Sequence, residues 1–562
     1  MLFMRVIFHI VCFVLLFCVM AGSGSAQTNA ATGQVQARDE QSSADDLDEE
    51  FTAGFPIAEF VERKARRFAE KSFRKSDNQA PDFLLSLNGE EWNKVEFKPD
   101  KTLWRQEALP FEVAFIHPGF IYNRIVNINI VDSGESSRIP FSSESFNYGV
   151  KGLSEKVQRV RLNYAGFRVY YPLNTEHDKD EVVMFLGATY FKSAARNSQY
   201  GLSARGIALN TALPDGEEFP FFREFWLIKP GPKDTSLTIY ALMDSQSMTG
   251  AYRFVITPGT STVMEVTCKL FPRRSTPLPK KIGLTPLNSM FLFSETTNGI
   301  AADYRPEVHN SDGLLYTPDG INWLWRPLEN PARLTVSSFP MENPRGFGLM
   351  QRDNIFDHYQ DIYARFDRRV SLWVEPAGDW DFGRIELIEI PAREEWHENI
   401  VVFWIPDTPD PTAETLRESL LRNGQPISFA YKLYWMTSGV TPHNLGRVVS
   451  TRTSRGPKPD TMTFIIDFES ESLKSLPADT GLTSVVEGPQ ELPVSAKNLV
   501  KNPVTGGWRL SFQVSIPRRD GLIQSILTAR EGFLQARFRA FLKKGENLPD
   551  ILTEVWVYDI PF

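Results

Sequence analysis

From Trp508 to Ile516 the chain alternates strictly. Trp508, Leu510, Phe512, Val514 and Ile516 are apolar, and Arg509, Ser511, Gln513 and Ser515 lie between them. Successive side chains of a strand point to opposite faces, so this stretch folds as a strand with one face to a core and one to water. Alternating or short apolar runs recur at 111–115, 125–131, 161–172, 182–191, 237–243, 251–256, 262–270, 372–375, 384–390, 399–405, 429–435, 461–468, 533–542 and 554–558. Turn residues such as Pro258-Gly259 separate them. Early in the chain a helical period stands out at 51–74, where Phe55, Phe60, Val61 and Ala65 recur among basic residues. The expected fold class is all-β.

A chain of 562 residues has room for more than one core. The strongest internal break is Pro-Asp-Thr-Pro-Asp-Pro at 406–411. It divides a large β-sandwich expected at 51–405 from a smaller immunoglobulin-like β-sandwich expected at 424–562, with 406–423 as linker. Residues 1–26 read as a signal peptide: Arg5 supplies the charge, 6–20 is the apolar run, and Gly24-Ser25-Ala26 fits the cleavage site. Residues 27–50 are too polar and acidic to bury a core and read as a disordered linker. Cleavage removes Cys12 and Cys18 and leaves Cys268, so no intrachain disulfide forms. Cys268 shares a strand face with Met264, Val266 and Leu270 and is expected in the core. An exported, acidic, disulfide-free chain suits a bacterial periplasm.

The net charge of −8 argues against nucleic acid as a partner, because phosphate binding needs a basic surface. The chain lacks GxxxxGK[ST], a strand-borne GxGxxG, HExxH and GxSxG, which disfavours nucleotide enzymes, zincins and α/β-hydrolases. Its histidines are scattered and none sits at ligand spacing from another, so no metal and no cofactor is expected. The densest polar stretch is 304–314, with Arg305, Glu307, His309, Asn310 and Asp312. Asp312-Gly313 can close it as a plain turn. Around it, 300–404 carries Trp323, Trp325, Trp373, Trp380, Trp396 and Trp404 among many carboxylates. Rings stack on sugars and paired carboxylates cleave glycosidic bonds; the same residues also fit buried tryptophans and solvated acids.

Several longer words narrow the choice. They are Tyr200-Gly-Leu-Ser-Ala-Arg-Gly206, Gly216-Glu-Glu-Phe-Pro220, Gly250-Ala-Tyr-Arg-Phe254, Tyr304-Arg-Pro-Glu-Val-His309, Ser311-Asp-Gly-Leu314, Asn343-Pro-Arg-Gly-Phe-Gly-Leu349 and Leu372-Trp-Val-Glu-Pro376. Together, from about residue 51 to the C-terminus, they resemble the periplasmic glucan biosynthesis protein family, types G and D (MdoG/OpgG-like). The resemblance implies a galactose-mutarotase-like sandwich with an extended cleft, followed by the immunoglobulin-like one. It implies a role in making osmoregulated periplasmic glucans and an inverting glycoside hydrolase or transglycosylase acting on β-1,2-linked glucan.

Carried over position by position, the resemblance shows two departures. The family's His-Asp-Ser-Asp is His309-Asn310-Ser311-Asp312 here, so Asn310 stands at the general-base position and Asp312 is the candidate substitute base. Its Asp-Asn-Ile-Val is Glu398-Asn399-Ile400-Val401, so Glu398 stands at the general-acid position. An amide has no basic lone pair near neutral pH, whereas Glu398 can still donate a proton. Arg205, Tyr252, Arg253, Glu307, His309, Trp373 and Glu375 are candidates for lining the cleft; Arg205 equally suits pairing with an acid beneath the sheet. Two functions remain open: an enzyme with an altered catalytic pair, and a non-catalytic glucan-binding protein that guides polymer from an inner-membrane glucan synthase. A scaffold for protein contacts is a third, weaker reading.

Overall fold

The computed structural model describes residues 51, 54–74, 79–296, 303–408, 426–437, 439–456, 460–516, 535–545 and 551–561. The expected signal peptide (1–26), the linker (27–50) and most of the 406–423 linker lie outside them. No helix among the described residues is long and apolar enough to cross a membrane.

The fold is all-β. A ten-stranded sheet and a fourteen-stranded sheet face each other across the main core. Phe185 and Phe191 of the first sheet meet Phe254 of the second edge-on, with ring centroids 5.1 and 5.3 Å apart. Such pairs add about 0.5–1.5 kcal/mol beyond the area they bury. Four neighbouring strands of the larger sheet, Phe221–Ile228, Leu237–Asp244, Met248–Thr257 and Thr262–Pro272, form an antiparallel meander. Met264, Val266, Cys268 and Leu270 all point into the core, and burial pushes the Cys268 thiol well above its ordinary pKa.

The helix at Ile57–Ala69 covers the outer face of this meander. Its stripe of Phe60, Val61, Ala65 and Phe68 packs on Trp226, Leu242 and Phe271. Lys64 lies on the same buried stripe, where Nζ reaches the Glu224 carboxylate at 2.6 Å. The helix is shorter than the periodic stretch 51–74 and begins after Pro56, whose ring suits the residue before the first turn better than a helix interior.

One apolar run folds differently from its linear pattern. The run 182–191 is a hairpin rather than one strand: Asp180–Leu186 and Tyr190–Ser193 pair antiparallel about a turn with Thr189 at φ 54°. The turn after Ser371–Ala377, by contrast, joins strands of different sheets. It carries the chain out of the larger sheet into Phe382–Glu389 of the smaller one.

The most consequential feature is how the C-terminal strands join. Ile427–Met436, beyond the expected boundary, pairs with Thr262–Pro272 on one side and Ser371–Ala377 on the other. Val555–Pro561 pairs in parallel with Leu324–Pro327 and carries Gln535–Lys544 into the same sheet. Of these, Val555–Pro561 is the strand buried on both faces. Val555 and Val557 enter the main core, while Trp556 and Tyr558 enter a second core. There a four-stranded sheet presents Phe464 and Phe512, and the Phe464 ring meets Trp556 at 5.5 Å. The two units therefore share one sheet, with three layers at this end.

Candidate functional site

Both words singled out by the sequence lean on one stretch, Asn288 to Phe291. Asn399 clamps Phe291 with two hydrogen bonds of 2.9 Å, accepting from its N–H and donating to its carbonyl. Across from it, the Asn310 N–H donates to the Met290 carbonyl at 2.8 Å, and the Ser289 and Ser311 hydroxyls share a 2.6 Å bond. The fold thus brings Glu398 and the segment from Glu307 to Asp312 to the same end of the smaller sheet.

Glu398 is half-buried just before the strand Ile400–Pro406. Its carboxylate accepts from three neighbouring strands: the Tyr190 hydroxyl at 3.2 Å, the Ser203 hydroxyl at 3.0 Å and the Asn288 amide at 3.2 Å. All three groups are uncharged. Ser203 lies opposite Asn288 in the register of adjacent strands, which is why both reach one carboxylate.

Asn310 is buried, and its Oδ1 accepts from the Arg369 guanidinium. Asp312 has different work. Its Oδ2 accepts the backbone N–H groups of Arg352 and Asp353, and its Oδ1 lies 3.6 Å from His309 Nδ1. Burial raises the Asp312 pKa against the opposing pull of His309. It anchors the turn at Arg352, whose guanidinium grips the buried Glu554 carboxylate at 2.6 and 2.9 Å. Burial pushes Glu554 up, but Arg352 and His443 outweigh it and hold it at about 2. The site segment is thereby tied to the last strands of the chain.

His309 is fully buried. Its Nε2 lies 3.0 Å from the Glu307 carboxylate and its Nδ1 3.1 Å from the Gln351 amide oxygen. Burial pulls the imidazole down, yet Asp312 and Glu307 overcome it and raise the pKa to about 9. Glu295, half-buried nearby, is pushed up to about 7 by burial and by the charges of Glu307 and Asp312. Because the folded pKa of His309 exceeds its unfolded 6.5, its contribution is complete below about pH 6.5 and is lost as pH rises through about 9. The shift corresponds to about 3 kcal/mol. Glu295 acts in the same direction, from about 4.5 upward through about 7. Urea unfolding at a series of pH values should show stability falling across this range, less steeply in His309→Gln; an equal slope in that variant would remove His309 as the cause.

The other expected cleft residues scatter. Tyr252 is in the core, donating its hydroxyl to the Gly206 carbonyl at 3.0 Å. Arg253, next along the strand, points to the opposite face, into a groove of about 440 Å³ beside the N-terminal helix. Arg205 is buried and donates to Glu217 at 2.8 Å. Trp373 is 5% exposed and faces the second core, where its indole covers Gly346 so closely that a Cβ there would meet it at 2.1 Å. Glu375 is exposed and accepts from the Tyr434 hydroxyl at 3.4 Å. Residues that sequence reasoning missed are Tyr190, Ser203, Asn288, Glu295, Gln351, Asp353, His358 and Arg369. The dense polar run from Gln351 to His358 was the available signal for three of them.

Arg305 gathers the rim. Its guanidinium binds Asp303, Asp361 and Glu395 at 2.7–3.0 Å, drawing three loops together. Beside these acids stand exposed rings: Tyr304 (74%), Tyr363 (68%) and Trp396 (42%).

This chain matches the family described as "Periplasmic glucan biosynthesis protein, MdoG" over residues 57–560. The chain belongs to the MdoG family. Among its relatives, "Glucans biosynthesis protein G" of Ralstonia nicotianae is 40% identical over 510 residues, covering 89% of this chain and 95% of the relative. The protein of the same name from Rhodopseudomonas palustris is 40% identical over 502 residues, covering 89% and 92%. That from Dickeya dadantii is 36% identical over 513 residues, again covering 89% and 92%. MdoG family membership thus spans both cores and every site residue described above.

Proposed function

We propose that the protein serves glucan biosynthesis in the periplasm by binding β-1,2-linked glucan and acting on it, with Glu398 as proton donor to the leaving glycosidic oxygen. The observation that carries this reading is the cradle around Glu398. The Tyr190 and Ser203 hydroxyls can accept as readily as they donate, so the cradle serves the carboxyl in either protonation state. A proton donor must pass between those states in each turnover. The exposed rings of Tyr304, Tyr363 and Trp396 supply stacking surfaces for sugar, and Trp396 lies two residues from Glu398. On the base side, Asp312 is committed to two backbone N–H groups. Glu295, titrating near 7, is a carboxylate of suitable basicity in the same cluster.

One observation favours a second reading. The Asn310 amide is bonded to a guanidinium and cannot take a proton from water. Binding without turnover, guiding polymer released by an inner-membrane glucan synthase, needs only the rim and the cradle.

Purified protein incubated with linear β-1,2-glucan, with products followed by mass and reducing ends and binding by calorimetry, tests both. The expected result is saturable binding and slow release of shorter glucans. Binding without products would replace the first reading by the second, and absence of both would overturn the two together.

A further inference from the structure

We propose that Glu307, Asp353 and His358 form a site for one divalent cation of the zinc or manganese class. The sequence spreads these residues over fifty positions with no ligand spacing, but the fold brings one donor atom from each to within 4.8 Å of the others. Metal–ligand distances for such ions are about 2.0–2.2 Å, so closing the set on one ion takes a side-chain adjustment. His358 is the side chain free to make it, since it is 44% exposed while Glu307 is 8% and Asp353 18% exposed.

The packing behind the donors is what distinguishes the site from a patch of surface acids. The Glu307 carboxylate is turned by His309 through Oε2 at 3.0 Å, and its Oε1 accepts no hydrogen bond among the described residues. His309 is in turn held by the Gln351 amide oxygen at 3.1 Å. The Gln351 amide nitrogen donates to the Tyr359 hydroxyl at 2.9 Å, and Tyr359 donates to the Asp353 carbonyl at 3.1 Å. Tyr359 also directly follows His358 in the short helix Phe356–Tyr359. One buried chain of hydrogen bonds, Gln351–His309–Tyr359, therefore holds the Glu307 carboxylate and the backbone at Asp353. A supporting shell of this kind is what orients ligands in metal sites.

The donor set selects the ion. Two carboxylate oxygens and one imidazole nitrogen suit zinc or manganese, whereas calcium and magnesium favour oxygen alone. The ion would fasten the helix Phe356–Tyr359 to the strand Val308–His309. None of this depends on whether the protein acts on glucan.

Calorimetric titration of untagged, chelator-treated protein with Zn²⁺ and Mn²⁺ tests the proposal, with melting temperature as a second readout. The expected result is one ion per chain, a melting temperature raised by the ion, and affinity about 100-fold weaker in His358→Gln and in Asp353→Asn. His358 is exposed enough that its replacement leaves the ion-free fold intact, which the ion-free melting temperature of that variant verifies. Absence of saturable binding by either ion, or an affinity in both variants equal to that of the unsubstituted protein, would overturn the site.

Discussion

Glu398→Gln is expected to remove glucan turnover while leaving glucan binding intact. A positioned general acid is worth about 10²–10⁴ in rate, so product release should fall by that factor. Glutamine keeps the shape of the side chain and an acceptor for Tyr190 and Ser203. Its amide would face the Asn288 amide, but Asn288 can turn over, because its buried Oδ1 has no hydrogen-bond partner in the native structure. The new amide then has an acceptor and the Asn288 Nδ2 takes the unpaired place that its Oδ1 holds now, so the melting temperature of the variant, measured beside the rate, separates lost chemistry from misfolding. Reducing-end assays run beside calorimetry on the same preparation separate rate from binding. Turnover retained to within tenfold would sink Glu398 as the proton donor.

Asn310→Asp is expected to raise turnover by about 10²-fold, the low end of what a general base contributes. The replacement is isosteric, and the Arg369 guanidinium that now bonds the amide oxygen is already placed to hold a carboxylate. The ion pair that forms lowers the new carboxyl's pKa, which limits its basicity and keeps the gain modest. An unchanged rate in a variant that still binds glucan would show that the proton acceptor lies elsewhere. Glu295 would then be the residue to neutralise, since Glu295→Gln should abolish whatever rate remains.

Much of the scaffold was legible because strand periodicity is a local property. The alternation of Met264, Val266, Cys268 and Leu270 placed all four on one buried face. The cleft candidates taken from the resemblance fared differently where both faces of a strand are covered. Leu372 and Val374 enter the main core, but Trp373 between them enters the second core rather than a cleft. Tyr252 failed for a related reason: its residue type suits a sugar site, yet its strand position turns it inward, while Arg253 turns out to a groove on the far side of the sheet. The proline-rich break at 406–411 marks an interruption of the chain. It does not mark an edge of the sheet, because Ile427–Met436 returns to pair inside it.

By itself the sequence determined the fold class, the strand faces, the family and the two words that carry the candidate site, since each is written in neighbouring residues. Only the tertiary structure decided what those words touch. Side-chain partners are chosen by strand order and by crossings between sheets, which no local pattern encodes. That is why Glu398 finds Tyr190, Ser203 and Asn288, why Asp312 serves a backbone turn, and why scattered Glu307, Asp353 and His358 meet.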